Sequence, residues 1–437
     1  MTPTGVVSAT SHAAARKTRR TQANAITEPT PTLTVLTDGP VVGAVTADSA
    51  RVFARTGRAA SLRVQYSTDP NLTAALVTIP VETNSQSDFT GQVTLTGLTA
   101  NTVYHYNLLI DDRPQLKPPY PTFKTFVPPG QAQPFKFVIL TDFGFKPTNV
   151  FRNAAREAPD FVIIGGDFSH TAAGTLARKR KMFRFRYSRH KAFADFANLI
   201  LDRFAVAHFW DDHDYGKNNS DKTSRDKALS LQVLQEYFPV YPVTRFGDWQ
   251  KFRYGNAEFF LLDSRSQRDP NKTPDGKDKS MLDGDNLGAE GQYDWLVNGL
   301  RDSKAEWKFI LTPVVFNPTV PKADSWTGFQ YERNKLVEFI QAHNIEGVIL
   351  LSGDLHAGGI DDGTHSGFPE MLVPSVNTNG CLTAPQPGKW SEGIYAVPRQ
   401  ELCGGYGLVS VETNPPRATL QVKDDTGNVK LELKIDR

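Results

Sequence analysis

No apolar stretch in this sequence approaches the length of a membrane-spanning helix, which argues against a helical integral membrane protein. Cysteine is scarce: Cys381 and Cys403 are the only two in 437 residues. Two are too few for a disulfide scaffold, and their spacing is not that of a zinc site. They would form one bridge in a secreted protein or stand as two thiols. Net charge is nearly absent, at +2, which argues against a general polyanion-coating protein. Residues 1–34 are rich in Thr, Ala, Ser and Pro and carry Arg16-Lys17 and Arg19-Arg20, yet they lack the apolar core of an export signal. Their composition fits a disordered or processed tail. There is no internal repeat.

What is present suffices for two domains, each with its own core. From about residue 35 to 127, short alternating runs such as Ala50-Arg51-Val52-Phe53-Ala54 and Leu62-Arg63-Val64-Gln65-Tyr66 read as half-buried antiparallel strands. Their number and spacing suggest an all-β sandwich. The run Leu98 to Tyr106 resembles the tyrosine corner of fibronectin type III domains, with Tyr104 at the corner. Such a domain serves either as a carbohydrate or protein binder or as a spacer. Residues 128–134, Pro-Pro-Gly-Gln-Ala-Gln-Pro, read as a linker.

From 135 to 437 apolar strand-like runs alternate with amphipathic segments, including Val150–Glu157, Lys191–Phe204, Lys227–Phe238 and Arg333–His343. This predicts an α/β domain. Late runs around Val409, Leu420 and Leu433 have no helix between them, so the domain is expected to hold mixed sheets, two of them packed together and flanked by helices. Asp269–Gly288 reads as a surface loop.

The chemistry lies at the ends of the strands. Val138-Ile139-Leu140-Thr141 ends in Asp142, and Val162-Ile163-Ile164-Gly165-Gly166 in Asp167. Phe209-Trp210 runs into Asp211-Asp212-His213-Asp214, and Val348 to Gly353 into Asp354-Leu355-His356. In open α/β folds ligands collect at the carboxyl ends of strands. Carboxylates gathered there repel one another unless a cation or a proton intervenes. A pair of metal ions meets that need and suits hydrolysis of a phosphoester.

The motifs Asp142-Phe143-Gly144, Gly166-Asp167-Phe168-Ser169-His170, Asp211-Asp212-His213-Asp214 and Gly353-Asp354-Leu355-His356, in this order, resemble the calcineurin-like metallophosphoesterases. Trp210 before the double Asp, the run Asp212 to Asn219, and Phe260-Leu261-Leu262-Asp263-Ser264-Arg265 are similar to the alkaline phosphatase D family within that superfamily. The resemblance spans about residues 35–437, because a small N-terminal β domain belongs to the family. It implies that Asp142, Asp167, His170 and His356 hold one metal. Asp167, Asp212 and Asp354 would hold the other, with Asp167 as the bridge. His213 would be the acid that protonates the leaving oxygen or steadies charge on the phosphoryl group, and a metal-bound hydroxide the nucleophile.

The ligand types suggest a transition metal (Fe³⁺, Zn²⁺ or Mn²⁺) at the His-containing site and Ca²⁺, Mg²⁺ or Mn²⁺ at the carboxylate site. Family members pair iron with calcium. They often carry Cys where Asp142 stands and Tyr where His170 stands, so this chain departs from them in a way that weakens the case for iron. A further family His has no match, and Asn317 is the candidate in its place. Arg265 would clamp phosphate or pair with Asp263, and Asn219 would position substrate or cap the next segment. The basic stretch Arg178–Lys191 would steer anions, bind single-stranded nucleic acid, or form a solvated helix.

The expected function is therefore hydrolysis of small phosphate monoesters. Phospholipid or nucleotide diesters, cleaved by a phosphodiesterase of phospholipase D type, are the alternative. A secreted binding protein with an inactive phosphatase domain is the rival from another class. Nucleic acid is not expected as a partner. An extracellular or periplasmic location follows from the family's habits.

Overall fold

Val138-Ile139-Leu140 and Val162-Ile163-Ile164 are apolar at every position, as parallel strands covered on both faces must be. In the computed structural model, which describes residues 35–170, 174–187, 193–320, 324–380, 388–398 and 400–437, they lie in the parallel neighbours Phe135–Leu140 and Phe161–Gly165. The N-terminal tail and Cys381 fall outside the described residues. Ala205–Phe209 continues the parallel set. Gly405–Thr413, Pro416–Asp424 and Val429–Asp436 extend it antiparallel on the other side.

A second sheet is built on Ala257–Leu261, Trp307–Leu311 and Val348–Ser352, again parallel, with antiparallel strands at both edges. The two sheets pack face to face. Phe137, Ile139, Phe161 and Ile163 from the first share one core with Phe259, Leu261, Phe309 and Leu351 from the second. Phe137 meets Phe259 and Phe309 edge-on, each with centroids 5.2 Å apart. Side chains alternate across a strand, so Val138, Leu140, Val162 and Ile164 face outward, onto the helices Val150–Arg156 and Lys227–Tyr237. On the far side Phe260, Ile310 and Leu350 meet Gln292–Asp302 and Gln330–Ala342. The expected pair of mixed sheets flanked by helices is what forms.

The N-terminal strands do form a β-sandwich, but one of its layers is shared. Leu36–Gly43, Ser49–Thr56 and Thr90–Thr96 continue the first sheet, joined to it by parallel pairing of Gly43 with Val206. A Cβ on Gly43 would stand 2.7 Å from the Val206 carbonyl oxygen, so the junction needs a glycine. Ala60–Ser67 and Val103–Ile110 lead the opposing layer. The tyrosine corner is present: Tyr104 Oη accepts from the Thr99 N–H at 2.9 Å. The 128–134 stretch is tied down, with Gly130 N–H donating to Gly255 O at 2.9 Å and Gly255 N–H to Val127 O at 3.0 Å. From residue 35 onward the described residues form one compact unit.

Candidate active site

The strand ends reach the site through turns that non-glycine residues rarely make. Asp142, Asp167, His170, Asp354 and His356 have φ of 53°, 51°, 47°, 72° and 52°. Each left-handed residue costs on the order of 1 kcal/mol or more, and such strain gathers where surrounding structure holds it for a purpose. The glycines beside them allow close approach. Gly166 has φ of +94°, and a Cβ there would come within 2.7 Å of Asp211 Cβ. That contact lets the Phe161–Gly165 strand end lie against the Asp211–Asp214 turn.

The turns bring the predicted ligands together in overlapping groups. Ligand atoms of Asp167, His170 and His213 lie within 4.8 Å of one another, as do those of Asp167, Asp211 and Asp212, and those of Asp212, Asp324 and Asp354. Asp142 and His356 fall outside these groups but lie against each other, His356 Nε2 being 3.6 Å from Asp142 Oδ1. Asp167 and Asp212 thus link the imidazole end of the array to its all-carboxylate end. His213 is anchored by its backbone N–H, which donates to Asp167 Oδ1 at 3.1 Å. Its Nε2 stands 3.9 Å from both Asp167 Oδ2 and Asp212 Oδ1.

Burial, then repulsion from Asp212, Asp211 and Asp142, pushes the Asp167 carboxyl well above the usual range. Burial, the largest influence, likewise opposes ionisation of Asp212, but the Arg265 guanidinium, His213 and the Asn219 N–H together outweigh it and hold that carboxyl below its ordinary value. Burial, reinforced by the Arg186 guanidinium and by neighbouring His213, pushes His170 down to about 3. Its imidazole is therefore neutral at physiological pH, which is the form that ligates metal. Asp212 Oδ1 and His170 Nε2 are buried without a hydrogen-bond partner. Repelling carboxylates, a neutral imidazole and buried acceptors with nothing to bind are a donor set that fits metal cations.

A family model described as PhoD-like phosphatase matches residues 141–421. The chain belongs to the PhoD-like phosphatase family. The model for the N-terminal domain of PhoD-like phosphatases matches residues 20–125. Alkaline phosphatase D of Bacillus subtilis (strain 168) is 27% identical over 306 residues, 60% of this chain and 52% of that protein. The chain thus spans about half the length of the curated relative it matches. A solved structure of PhoD superimposes with a TM-score of 0.71 at 19% identity, over 91% of this chain and 89% of that one. Purple acid phosphatase PPD1 from yellow lupin (Lupinus luteus) seeds gives 0.67 at 16% identity, over 91% and 74%. At these identities the two structures show a shared fold.

Within this PhoD-like site some residues stand elsewhere than the sequence suggests. Arg265 is not paired with Asp263, whose oxygens are taken by the Trp210 indole and the backbone N–H groups of Asp248, Arg265 and Ser266. Its guanidinium is buried and bonds to Asp211 and Asp324. Asn219 takes part through its backbone, donating to Asp212 Oδ2 at 2.6 Å, from a left-handed φ of 58°. Asn317 lies outside the ligand groups; its carboxamide bonds to Lys389 O and accepts from Thr319. Sequence reasoning missed Asp324, which follows no apolar run, and gave Asp211 no role of its own.

The basic helix Leu176–Tyr187 is not a free cationic rim. Arg180 forks onto Glu236, Arg184 pairs with Asp88 of the N-terminal sandwich, and Lys179 and Arg186 are buried. Those charges fasten the helix to its neighbours, which removes most of the ground for anion steering. Among the described residues no helix is long and apolar enough to cross a membrane.

Proposed function

We propose that this chain hydrolyses small phosphate esters with the help of two or more metal ions, acting chiefly on monoesters. The observation that carries the reading is the run of overlapping donor groups from His170 and His213 through Asp167 and Asp212 to Asp324 and Asp354. Asp142, Asp167, His170 and His356 would hold a transition metal (Fe³⁺, Zn²⁺ or Mn²⁺), while Asp212 and Asp354, joined by Asp324, would hold Ca²⁺, Mg²⁺ or Mn²⁺. Metal ions there supply polarisation of the phosphoryl group and activation of water.

The chain's own residues do the rest. His213, with 30% of its side chain exposed, can reach a leaving oxygen and give it the Nε2 proton. Asp167 and Asp212 flank that nitrogen, each with a carboxylate oxygen 3.9 Å away. Arg265 acts as an organiser of the carboxylates, since its partners are Asp211, Asp212, Asp324 and Asp354. Asn219 fixes Asp212 through its backbone N–H. Use of Ca²⁺ would accord with an extracellular or periplasmic place of action.

The test is release of a chromogenic alcohol from a phosphate monoester and from its bis-ester, side by side at alkaline pH, with and without chelator. Chelator-sensitive release chiefly from the monoester is expected. Preference for the bis-ester would replace the reading with a phosphodiesterase. No release from either, with Ca²⁺, Mn²⁺, Zn²⁺ or iron supplied, would sink the hydrolase reading and favour the binding protein.

A further inference from the structure

A row of rings leads away from the histidine end of the site. The His170 and His213 imidazoles stack with centroids 4.8 Å apart and planes 26° apart. Beyond His170 stands Phe145, centroid to centroid 6.1 Å, and beyond Phe145 stands Phe185 at 6.2 Å. Phe145 is 51% exposed and Phe185 38%, and no other phenylalanine among the described residues is exposed to that degree. Leaving such rings in water forgoes apolar burial, so their place beside a polar site calls for a reason.

Phe145 is also held in place. The buried Arg186 guanidinium lies 4.4 Å from its ring centroid and is fixed by bonds to Gly144 O and Phe143 O, both at 2.7 Å. The same cation lies 4.9 Å from Phe193, which packs against Phe185. A cation backing one face of Phe145 leaves the ring a fixed, half-open surface one imidazole away from His213. Flat rings stack on such surfaces, and every nucleobase has a face to offer.

We propose that Phe145, supported by Phe185, is a stacking platform for a flat ring in the alcohol portion of the substrate. The preferred class would then be phosphate esters in which a spacer separates the ring from phosphorus, as in a nucleoside monophosphate. The proposal rests on the phosphoester reading above and adds to it the chemistry of the leaving group. The intervening His170 ring is what favours a spaced ring over one bonded directly to the ester oxygen.

The experiment compares AMP, phenyl phosphate and ribose 5-phosphate on the full chain with Zn²⁺ and Ca²⁺ supplied. Wild type, Phe145→Ala and Phe145→Trp are each measured for kcat/KM and for saturation transfer from protein to the adenine protons of AMP. In Phe145→Ala, kcat/KM for AMP should fall about tenfold more than for ribose 5-phosphate. Adenine saturation should vanish, and Phe145→Trp should restore both. A matching loss with phenyl phosphate would uphold the platform but overturn the preference for a spaced ring. Absence of adenine saturation in wild type, or equal losses for AMP and ribose 5-phosphate, would overturn it. Adenine saturation that depends on Phe145, without turnover of any substrate, would uphold the platform while sinking the hydrolase reading.

Discussion

Arg265 forms a buried fork-to-fork ion pair with Asp211, itself a member of one of the ligand groups. Nε and Nη2 of the guanidinium donate to the two carboxylate oxygens of Asp211, the second at 3.0 Å. Nη1 reaches Asp324 at 3.1 and 3.2 Å, and Nη2 lies 3.7 Å from Asp212 and 3.6 Å from Asp354. One rigid cation thus sets the spacing of carboxylates contributed by separate turns. Removing it leaves buried charges uncompensated, which typically costs about 3–5 kcal/mol. Arg265→Ala should lower stability by that amount in urea unfolding. Arg265→Lys should recover only a part, because an ammonium cannot fork. A midpoint equal to the parent's for Arg265→Ala would mean that the carboxylates do not depend on it.

His213 is the group placed to pass a proton. Its backbone is fixed on Asp167, while its ring is partly open and stacked on His170. His213→Ala should lower turnover roughly a hundredfold or more with metal content intact. Because the ring also lies within a potential ligand group, elemental analysis has to accompany the kinetics. Loss of metal along with activity would make it a ligand instead of an acid.

The strand ends were legible because a continuous apolar run that stops at Asp can be read without a structure. Asp142, Asp167, Asp212 and Asp354 all carry that mark; Asp167, Asp212 and Asp354 lie in the array, and Asp142 stands beside His356. Asp324 carries no such mark: it follows no apolar run, and its place is set by Arg265 and Arg268, which lie far from it in sequence. Arg265 looked like a phosphate clamp because its burial and its choice among several nearby aspartates depend on tertiary packing. The β-sandwich was legible from alternation, whereas the sharing of its sheet through Gly43 and Val206 was not, since pairing between distant strands leaves no local pattern. Asp269–Gly288 read as a surface loop from its charge, yet Met281 and Leu282 within it are fully buried.

Asp167 stands where several carboxylates converge, and burial with their repulsion raises its pKa. A raised carboxyl pKa means that stability of the metal-free protein is lost as pH rises through the folded-state value. Asp167→Asn removes the charge, keeps an oxygen for the His213 N–H and tolerates the left-handed φ of 51°. With chelator present it should raise the unfolding temperature, by an amount that grows from acid to alkaline pH. In the same variant bound metal should fall. Thermal scans at several pH values, paired with metal analysis, check both parts; a variant less stable than the parent at alkaline pH would contradict the repulsion argument.

Glu332, remote from the ligand groups, offers a test of burial by itself. It lies in the first turn of Gln330–Ala342 and clamps the 280–282 segment, accepting from Ser280 Oγ at 2.7 Å, from Leu282 N–H at 3.2 Å and from Met281 N–H. Burial raises its pKa from 4.5 to about 7, against the opposing pull of those hydrogen bonds. Between these two values the unfolded chain has released the proton and the folded chain still holds it, so stability falls as pH rises across the window. Once Glu332 ionises in the folded protein the loss is complete, at about 3 kcal/mol. Glu332→Gln keeps an acceptor for the two N–H groups and cannot ionise. The variant should therefore match the parent below the window and gain about 3 kcal/mol on it above. Urea unfolding of both proteins across that range measures the difference directly, and a difference that does not change with pH would show that Glu332 titrates as an ordinary exposed carboxyl.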